Sequence, residues 1–308
     1  MTRGRIGVLV MAYGGPNTLD EVEPYLLDVR GFRPTSAEIV HEVRERYRAI
    51  GGRSPIRERT QAQAAALQAA LDREPGRYQT LVGMRHWHPH LKDTLAEMEQ
   101  AGIRRAVGLV MAPHFSRLSV VAYYQKVEAA GSPVAVVGIE RWHLLPGYLD
   151  ALAEHIQAAL QKFPAAVRAA VPIIFTAHSL PQRILEWNDP YPAELQATVQ
   201  ALMERLDPQP YTFAFQSAAM TPDPWLGPEA GAEIARLAGE GQRNVLIAPI
   251  GFVCEHVEIL YDVDVVYRRQ AEALGVRLER IEMLNTAPAM IAGLAGLVRE
   301  TAHKAGWL

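Results

Sequence analysis

Two stretches of the chain bring acid, base and metal-binding side chains together at spacings that could do chemistry. The first is TAHSLP, residues 176–181. His178 stands at the end of a short β-branched run, Ile173–Ala177, that reads as a buried strand. An imidazole placed there is a neutral metal ligand or a proton acceptor near neutral pH. On position alone, a structural histidine bonded to backbone is the stronger reading. The second stretch is GFVCEHVEILYDVD, residues 251–264, where a core strand runs into a helix expected to open with Glu255, His256, Glu258, Asp262 and Asp264. Glu258 and Asp262 are four apart and share a helix face. Like charges on one face repel, so the pair belongs to a solvated helix or to a site that handles metal or protons. The direct exit from a core strand favours the site. Acids are favourable near any helix N-terminus, which accounts for Glu255 but poorly for Asp262 and Asp264.

Two further segments carry reactive side chains with weaker signals. Tyr13 ends the first apolar run, and Arg30, Arg46, Tyr47 and Ser54 follow. Arginine suits bidentate pairing with a substrate carboxylate, but alone these arginines read as surface residues. The HWHPH run, 86–90, looks like a metal cluster. Pro89 interrupts it and no carboxylate is spaced to complete the set, so a solvated loop is the better reading of His88 and His90.

The elements that must position these groups alternate. Strands are expected at Ile6–Tyr13, Thr80–Arg85, Ala106–Ala112, Val134–Ile139, Ile173–Ala177, Tyr211–Gln216, Val245–Ile250 and Val276–Met283. They are short, continuous and β-branched, as parallel strands covered on both faces are. Helical patterns lie between them at Thr60–Arg73, Leu91–Gln100, Leu149–Gln161, Tyr191–Leu206 and Glu229–Leu237. This order implies βαβ units and a doubly wound α/β fold. The pattern runs twice: MAYGGP (11–16) is echoed by TAHSLP, GMRHWHP (83–89) by FQSAAMTP (215–222), and VMAPHF (110–115) by IAPIGF (247–252). Two Rossmann-like domains are the simplest account, 1–143 and 144–308, with the C-terminal helix able to pack back on the first. Echoes of this kind also arise in any open α/β sheet. Ligands in such sheets bind at the carboxyl ends of the strands, so the loops after Tyr13, His86, Pro113, His178, Ser217 and Phe252 are expected to face one active-site cleft between the domains.

Composition removes several classes. The chain has 308 residues, 49% hydrophobic and 21% charged, with a net charge of −3. That balance is globular and does not favour a nucleic-acid partner. The one cysteine, Cys254, rules out an internal disulfide and a cysteine-built zinc or iron–sulfur site. No apolar run approaches the ~20 residues of a membrane-spanning helix. No G-x-G-x-x-G follows a strand, which disfavours a dinucleotide enzyme. A cytoplasmic protein is the expectation.

The ordered motifs MAYGGP, RYRAIGGRSPI (46–56), APHFS (112–116), AHSLP with NDPYP (188–192), QSAAMTPDPWLGP (216–228) and GFVCEHVEILYDVD resemble the ferrochelatase family over essentially the whole chain. The wording is most similar to that of the monofunctional bacterial coproporphyrin ferrochelatases. The resemblance implies that His178 and Glu258 flank the incoming metal and the pyrrole nitrogens. Tyr13 would be an axial contact on the opposite face of the ring. Arg30, Arg46, Tyr47, Ser54 and Tyr123 would meet the porphyrin side chains. His256 would support the site, and Asp262 would lead protons or metal along the helix. Fe(II) is then a substrate, no cofactor is permanently bound, no iron–sulfur cluster is expected, and the protein is expected to be a monomer. One departure is Val266, where relatives continue the acidic ladder; it puts in doubt a path needing three acids. A protoporphyrin IX ferrochelatase, a sirohydrochlorin cobaltochelatase and a non-catalytic haem carrier are the competing readings.

Overall fold

Each β-branched run marked above forms a strand; Ile6–Ala12, Arg105–Val110, Ile173–His178 and Asn244–Pro249 are buried on both faces of a parallel sheet, while the edge strand Ala135–Ile139 is largely exposed. The structure, a computed structural model, describes residues 4–73, 76–219, 221 and 223–308. In chain order the elements are β1 (Ile6–Ala12), α1 (Val22–Val29), α2 (Ala37–Ala49), α3 (Ile56–Leu71), β2 (Tyr78–Met84), α4 (Leu91–Gln100), β3 (Arg105–Val110), α5 (Val120–Ala129) and β4 (Ala135–Ile139). Then come α6 (Pro146–Leu160), α7 (Ala165–Arg168), β5 (Ile173–His178), α8 (Tyr191–Met203), β6 (Tyr211–Gln216), α9 (Ala230–Gly239) and β7 (Asn244–Pro249). A wide helix (Glu258–Tyr267), α10 (Arg268–Ala273), β8 (Arg277–Arg280) and α11 (Pro288–Lys304) complete the chain.

The strands form two all-parallel four-stranded sheets, ordered β2-β1-β3-β4 and β6-β5-β7-β8. The order is the same in both, and the three echoed motif pairs follow corresponding strands. The two sheets belong to two compact units, Met1–Trp142 with Asn285–Leu308, and His143–Leu284. The C-terminal segment therefore belongs to the first unit, where the Arg299 guanidinium donates to the Ala70 carbonyl at the end of α3 (2.8 Å).

In the first unit Leu9 and Met11 of β1 pack on Leu91, Leu95 and Met98 of α4 and on Val120 and Tyr123 of α5. In the second, Ile174, Val245 and Ile247 pack on Ile234 and Leu237 of α9 and on Ile259, Val263 and Tyr267 of the wide helix. Each such aliphatic side chain contributes about 1.5–3 kcal/mol when fully buried. The last expected strand is shorter than its apolar run, since only Arg277–Arg280 pair with β7.

The helix after β7 differs from the expectation. It begins at Glu258, so Glu255 and His256 stand in the preceding loop. That loop turns tightly over β5: a Cβ on Gly251 would lie 2.7 Å from the Ala177 Cβ. The helix is of the wide π type, and the Arg268 N–H reaches back five residues to the Val263 carbonyl. Such winding is uncommon and concentrates at functional sites.

Candidate functional site

In the second unit β5 and β6 pair in register through His178 and Gln216. Their carboxyl ends and the loop after β7 hold a three-group set. The His178 Nδ1 donates to the Ser179 carbonyl, leaving Nε2 3.3 Å from Glu258 Oε1. The His256 Nδ1 donates to the Cys254 carbonyl (3.0 Å), and its Nε2 lies 2.5 Å from Glu258 Oε2. One carboxylate is thus shared by two imidazoles whose other nitrogens are fixed by backbone. The Tyr191 hydroxyl, from the NDPYP motif, donates to the His178 carbonyl (3.0 Å). The Phe252 ring stands 4.6 Å from His256 and 6.4 Å from His178.

The charges follow from this geometry. Burial opposes protonation of His178, but the hydrogen bond and charge of Glu258 outweigh it, helped by the Ser179 carbonyl and Asp262, and its pKa lies above the ordinary value. Burial would raise the Glu258 pKa, yet the His256 charge and the His178 and His256 hydrogen bonds hold it well below the usual carboxylate range. Glu258 is the anion of the set.

The rest of the acidic face divides. The Ser217 hydroxyl donates to Asp262 Oδ2 (2.5 Å). Asp264 instead receives the Arg280 guanidinium in a bidentate pair (2.8 and 2.9 Å), which ties the wide helix to β8 and accounts for this acid structurally. Val266 is 41% exposed. Among the described residues, no three His, Cys, Asp or Glu side chains converge as a set able to hold a metal ion.

In the first unit Tyr13 follows β1 and is 39% exposed. The His86 N–H donates to the Tyr13 carbonyl (2.9 Å), and the two rings stand 4.6 Å apart. His86 Nδ1 meets Asp28 Oδ1 at 2.7 Å. Lys126 Nζ lies 3.6 Å from the same oxygen and donates to the Arg85 carbonyl (2.6 Å). The Arg85 guanidinium stands 5.7 Å from the Tyr13 ring centre and 5.5 Å from that of Tyr123, a cation–π arrangement. Burial, then the charges of Arg85 and Lys126, outweigh the pull of Asp28 and push the His86 pKa down to about 4. His86 is neutral at pH 7.

Ser54 and Tyr47 belong to the same neighbourhood. The Ser54 N–H donates to the Pro16 carbonyl (2.8 Å), and a Cβ on Gly15 would strike the Ser54 hydroxyl at 2.5 Å. Gly14 has φ +95°, a left-handed conformation that leaves its missing Cβ 2.9 Å from the Trp87 nitrogen. Tyr47 is buried, edge-on to Tyr25 at 6.5 Å, and the Tyr25 hydroxyl donates to the Gly14 carbonyl (3.4 Å). Arg30 ends α1 in an exposed position. Arg46, in the last turn of α2, pairs with Glu42 (2.6 Å).

Sequence reasoning passed over Asp28, Arg85 and Lys126 in the first unit and Gln216 in the second, and it named His86 and Ser217 only as residues before loops expected to face the cleft. The histidine run drew attention to metal, while Asp28, the partner of His86, comes from a distant helix. Gln216 was visible as the end of an expected strand and a letter of the QSAAMTPDPWLGP motif, of which Met220 and Pro222 lie outside the described residues.

The solved structures that the chain resembles include chelatases. It aligns with SirB from Bacillus subtilis with Fe3+ at a TM-score of 0.62 and 9% identity, covering 98% of this chain and 97% of that one. The sirohydrochlorin chelatase SirB from Bacillus subtilis subspecies spizizenii in complex with cobalt gives 0.60 and 8%, over 97% and 96%. At such identities the likeness shows the fold, two Rossmann-like domains. The ferrochelatase family model matches residues 5–302. The ferrochelatase of Herpetosiphon aurantiacus is 42% identical, over 93% of this chain and 96% of that one. The coproporphyrin III ferrochelatase of Geobacillus kaustophilus is 36% identical, over 97% and 96%. The chain belongs to the ferrochelatase family.

Proposed function

We propose that this protein inserts ferrous iron into coproporphyrin III, giving Fe-coproporphyrin III and two protons, as a step of haem biosynthesis. The observation that carries the reading is the Glu258 carboxylate shared between the Nε2 atoms of His178 and His256. The ring must lose two pyrrole N–H protons as the metal enters. The His178 Nε2 and the Glu258 carboxylate stand side by side as the two groups to take them. Mixed imidazole and carboxylate donors also suit Fe(II) and related divalent metals, and two protein donors leave coordination positions for pyrrole nitrogens. His178 and Glu258 meet the metal and accept protons, His256 holds Glu258, and Asp262 takes protons or metal onward. Tyr13 is the axial contact, with Arg30, Arg46, Tyr47, Ser54 and Tyr123 toward the porphyrin side chains.

Coproporphyrin III rather than protoporphyrin IX is supported by the motif wording and by relatives that carry the coproporphyrin name. The enzyme is read as cytoplasmic and monomeric, without a resident cofactor. Among the described residues no helix is long and apolar enough to cross a membrane. The test is anaerobic iron insertion by purified wild-type, His178→Ala and Glu258→Ala proteins. Each variant is expected to lose at least about 100-fold, the scale of a lost proton-transfer group. Near wild-type rates in both would refute the assignment. Side-by-side turnover of the two porphyrins, with cobalt and sirohydrochlorin as a third arm, decides the substrate.

A further inference from the structure

We infer that Gln216 is a positioning residue for metal insertion: its buried amide, oriented by Thr176, holds both Glu258 and Asp262 in place. The inference rests on the functional reading above and adds a device that it does not contain.

Gln216 and Thr176 are both 0% exposed. The Thr176 hydroxyl donates to Gln216 Oε1 (2.7 Å). That bond fixes which end of the amide is the acceptor and turns the NH2 group toward the wide helix. There Nε2 donates to the Glu258 backbone carbonyl (3.0 Å) and to the Ser217 hydroxyl (3.3 Å). The Ser217 hydroxyl in turn donates to Asp262 Oδ2 (2.5 Å). Ser217 has φ +62°, a left-handed conformation uncommon outside glycine. A buried amide has one carbonyl oxygen and two N–H donors, and here each has a partner.

The placement matters more than the bonds alone. Glu258 opens the wide helix, so its carbonyl is where that helix is registered against the sheet. Gln216 is the in-register β6 partner of His178 on β5. Thr176 lies two residues before His178, and its carbonyl accepts from the Ile250 and Gly251 N–H groups (2.8 and 3.2 Å). One short network therefore sets His178, Glu258 and Asp262 in a common frame. Partners behind the metal-facing residues commonly cost 10- to 100-fold in metal affinity or activity when removed.

The experiment compares Thr176→Val, Thr176→Ser and Gln216→Leu in anaerobic insertion of ferrous iron into coproporphyrin III, with a crystal structure of Thr176→Val. Thr176→Val removes only the orienting hydroxyl and keeps the side-chain shape. It is expected to lower kcat about tenfold and raise the iron KM, with porphyrin KM unchanged. Thr176→Ser, which restores the donor, should recover most of the rate, and Gln216→Leu should lose more than Thr176→Val. In the Thr176→Val structure the Gln216 amide should turn and the Glu258 carboxylate should leave its 3.3 Å approach to His178. Wild-type kcat and iron KM in Thr176→Val, equal losses in Thr176→Ser and Thr176→Val, or an unmoved Glu258 would each overturn the inference. A wild-type protein that inserts no metal would instead overturn the functional reading, and the crystal structure would still judge the network.

Discussion

His178 at the end of β5 and His86 just beyond β2 are each paired with a carboxylate, and their surroundings shift them in opposite directions. Around His178 stand Glu258, Asp262 and the Ser179 carbonyl, and its pKa rises despite burial. Around His86 burial comes first, Asp28 is offset by Arg85 and Lys126, and the pKa falls to about 4. A histidine–carboxylate pair is therefore not a proton-handling device by itself. Burial opposes the proton on both rings, and the neighbouring groups decide whether that opposition is overcome, as at His178, or reinforced, as at His86. The second unit collects anions and imidazoles, as groups that accept protons and meet a cation must. The first unit collects cations and aromatic rings, which suits a flat polyanionic ligand.

The largest expected effect comes from removing the anion that makes the second unit acidic. Glu258→Gln keeps the shape and deletes the charge between His178 and His256. Its kcat for iron insertion should fall about 10²- to 10⁴-fold, while porphyrin affinity, measured by fluorescence quenching, should stay within about twofold. A large loss of porphyrin affinity with little change in kcat would reverse the roles assigned to the two units.

That contrast was only half legible in the sequence. Glu258 stood out because an acidic face leaving a core strand has few structural explanations, and Asp262 stood out with it. Asp264 raised the same expectation but answers to Arg280, which the sequence places 16 residues later on a separate strand. The central strands were readable because runs buried on both faces leave a continuous apolar signature, and the edge strands β4 and β6 because they are rich in β-branched and aromatic residues. The wide winding of the 258–267 helix was not, because periodicity arguments assume the ordinary turn. The chemistry of the first unit was hidden for another reason. Asp28 and His86 are 58 residues apart, and only the return of β2 alongside β1 brings His86 beside Tyr13.

The next effect tests whether His86 is held neutral. Its folded pKa, about 4, lies below the ordinary value of 6.5. As pH falls from 6.5 to 4 the unfolded chain binds a proton that the folded chain refuses, so stability falls with pH across that window and levels off below it. The contribution lost is roughly 3 kcal/mol at the acid end. His86→Asn can keep an N–H facing Asp28 but cannot titrate. Urea unfolding at pH 7 and pH 4.5 should show a clearly smaller acid loss in His86→Asn than in wild type. Equal losses would mean that His86 is not held neutral in the folded protein.

The smallest effects belong to Arg30 and Arg46, and they bear on how the first unit meets its ligand. A charge-assisted hydrogen bond is worth about 1.5–3 kcal/mol, and Arg30 is exposed while Arg46 already has Glu42 as a partner. The exposure and the competing carboxylate reduce the expected contribution to the lower end of that range. Arg30→Ala and Arg46→Ala should each raise the coproporphyrin KM about tenfold, with kcat unchanged. Because coproporphyrin carries four carboxylates and protoporphyrin two, the two arginines should not serve both ligands equally. If they recognise the extra carboxylates, the double variant should lose discrimination between the two porphyrins as well as affinity. An equal rise in KM for both ligands would instead place the arginines at the two carboxylates that the porphyrins share, and specificity would have to come from elsewhere in the first unit.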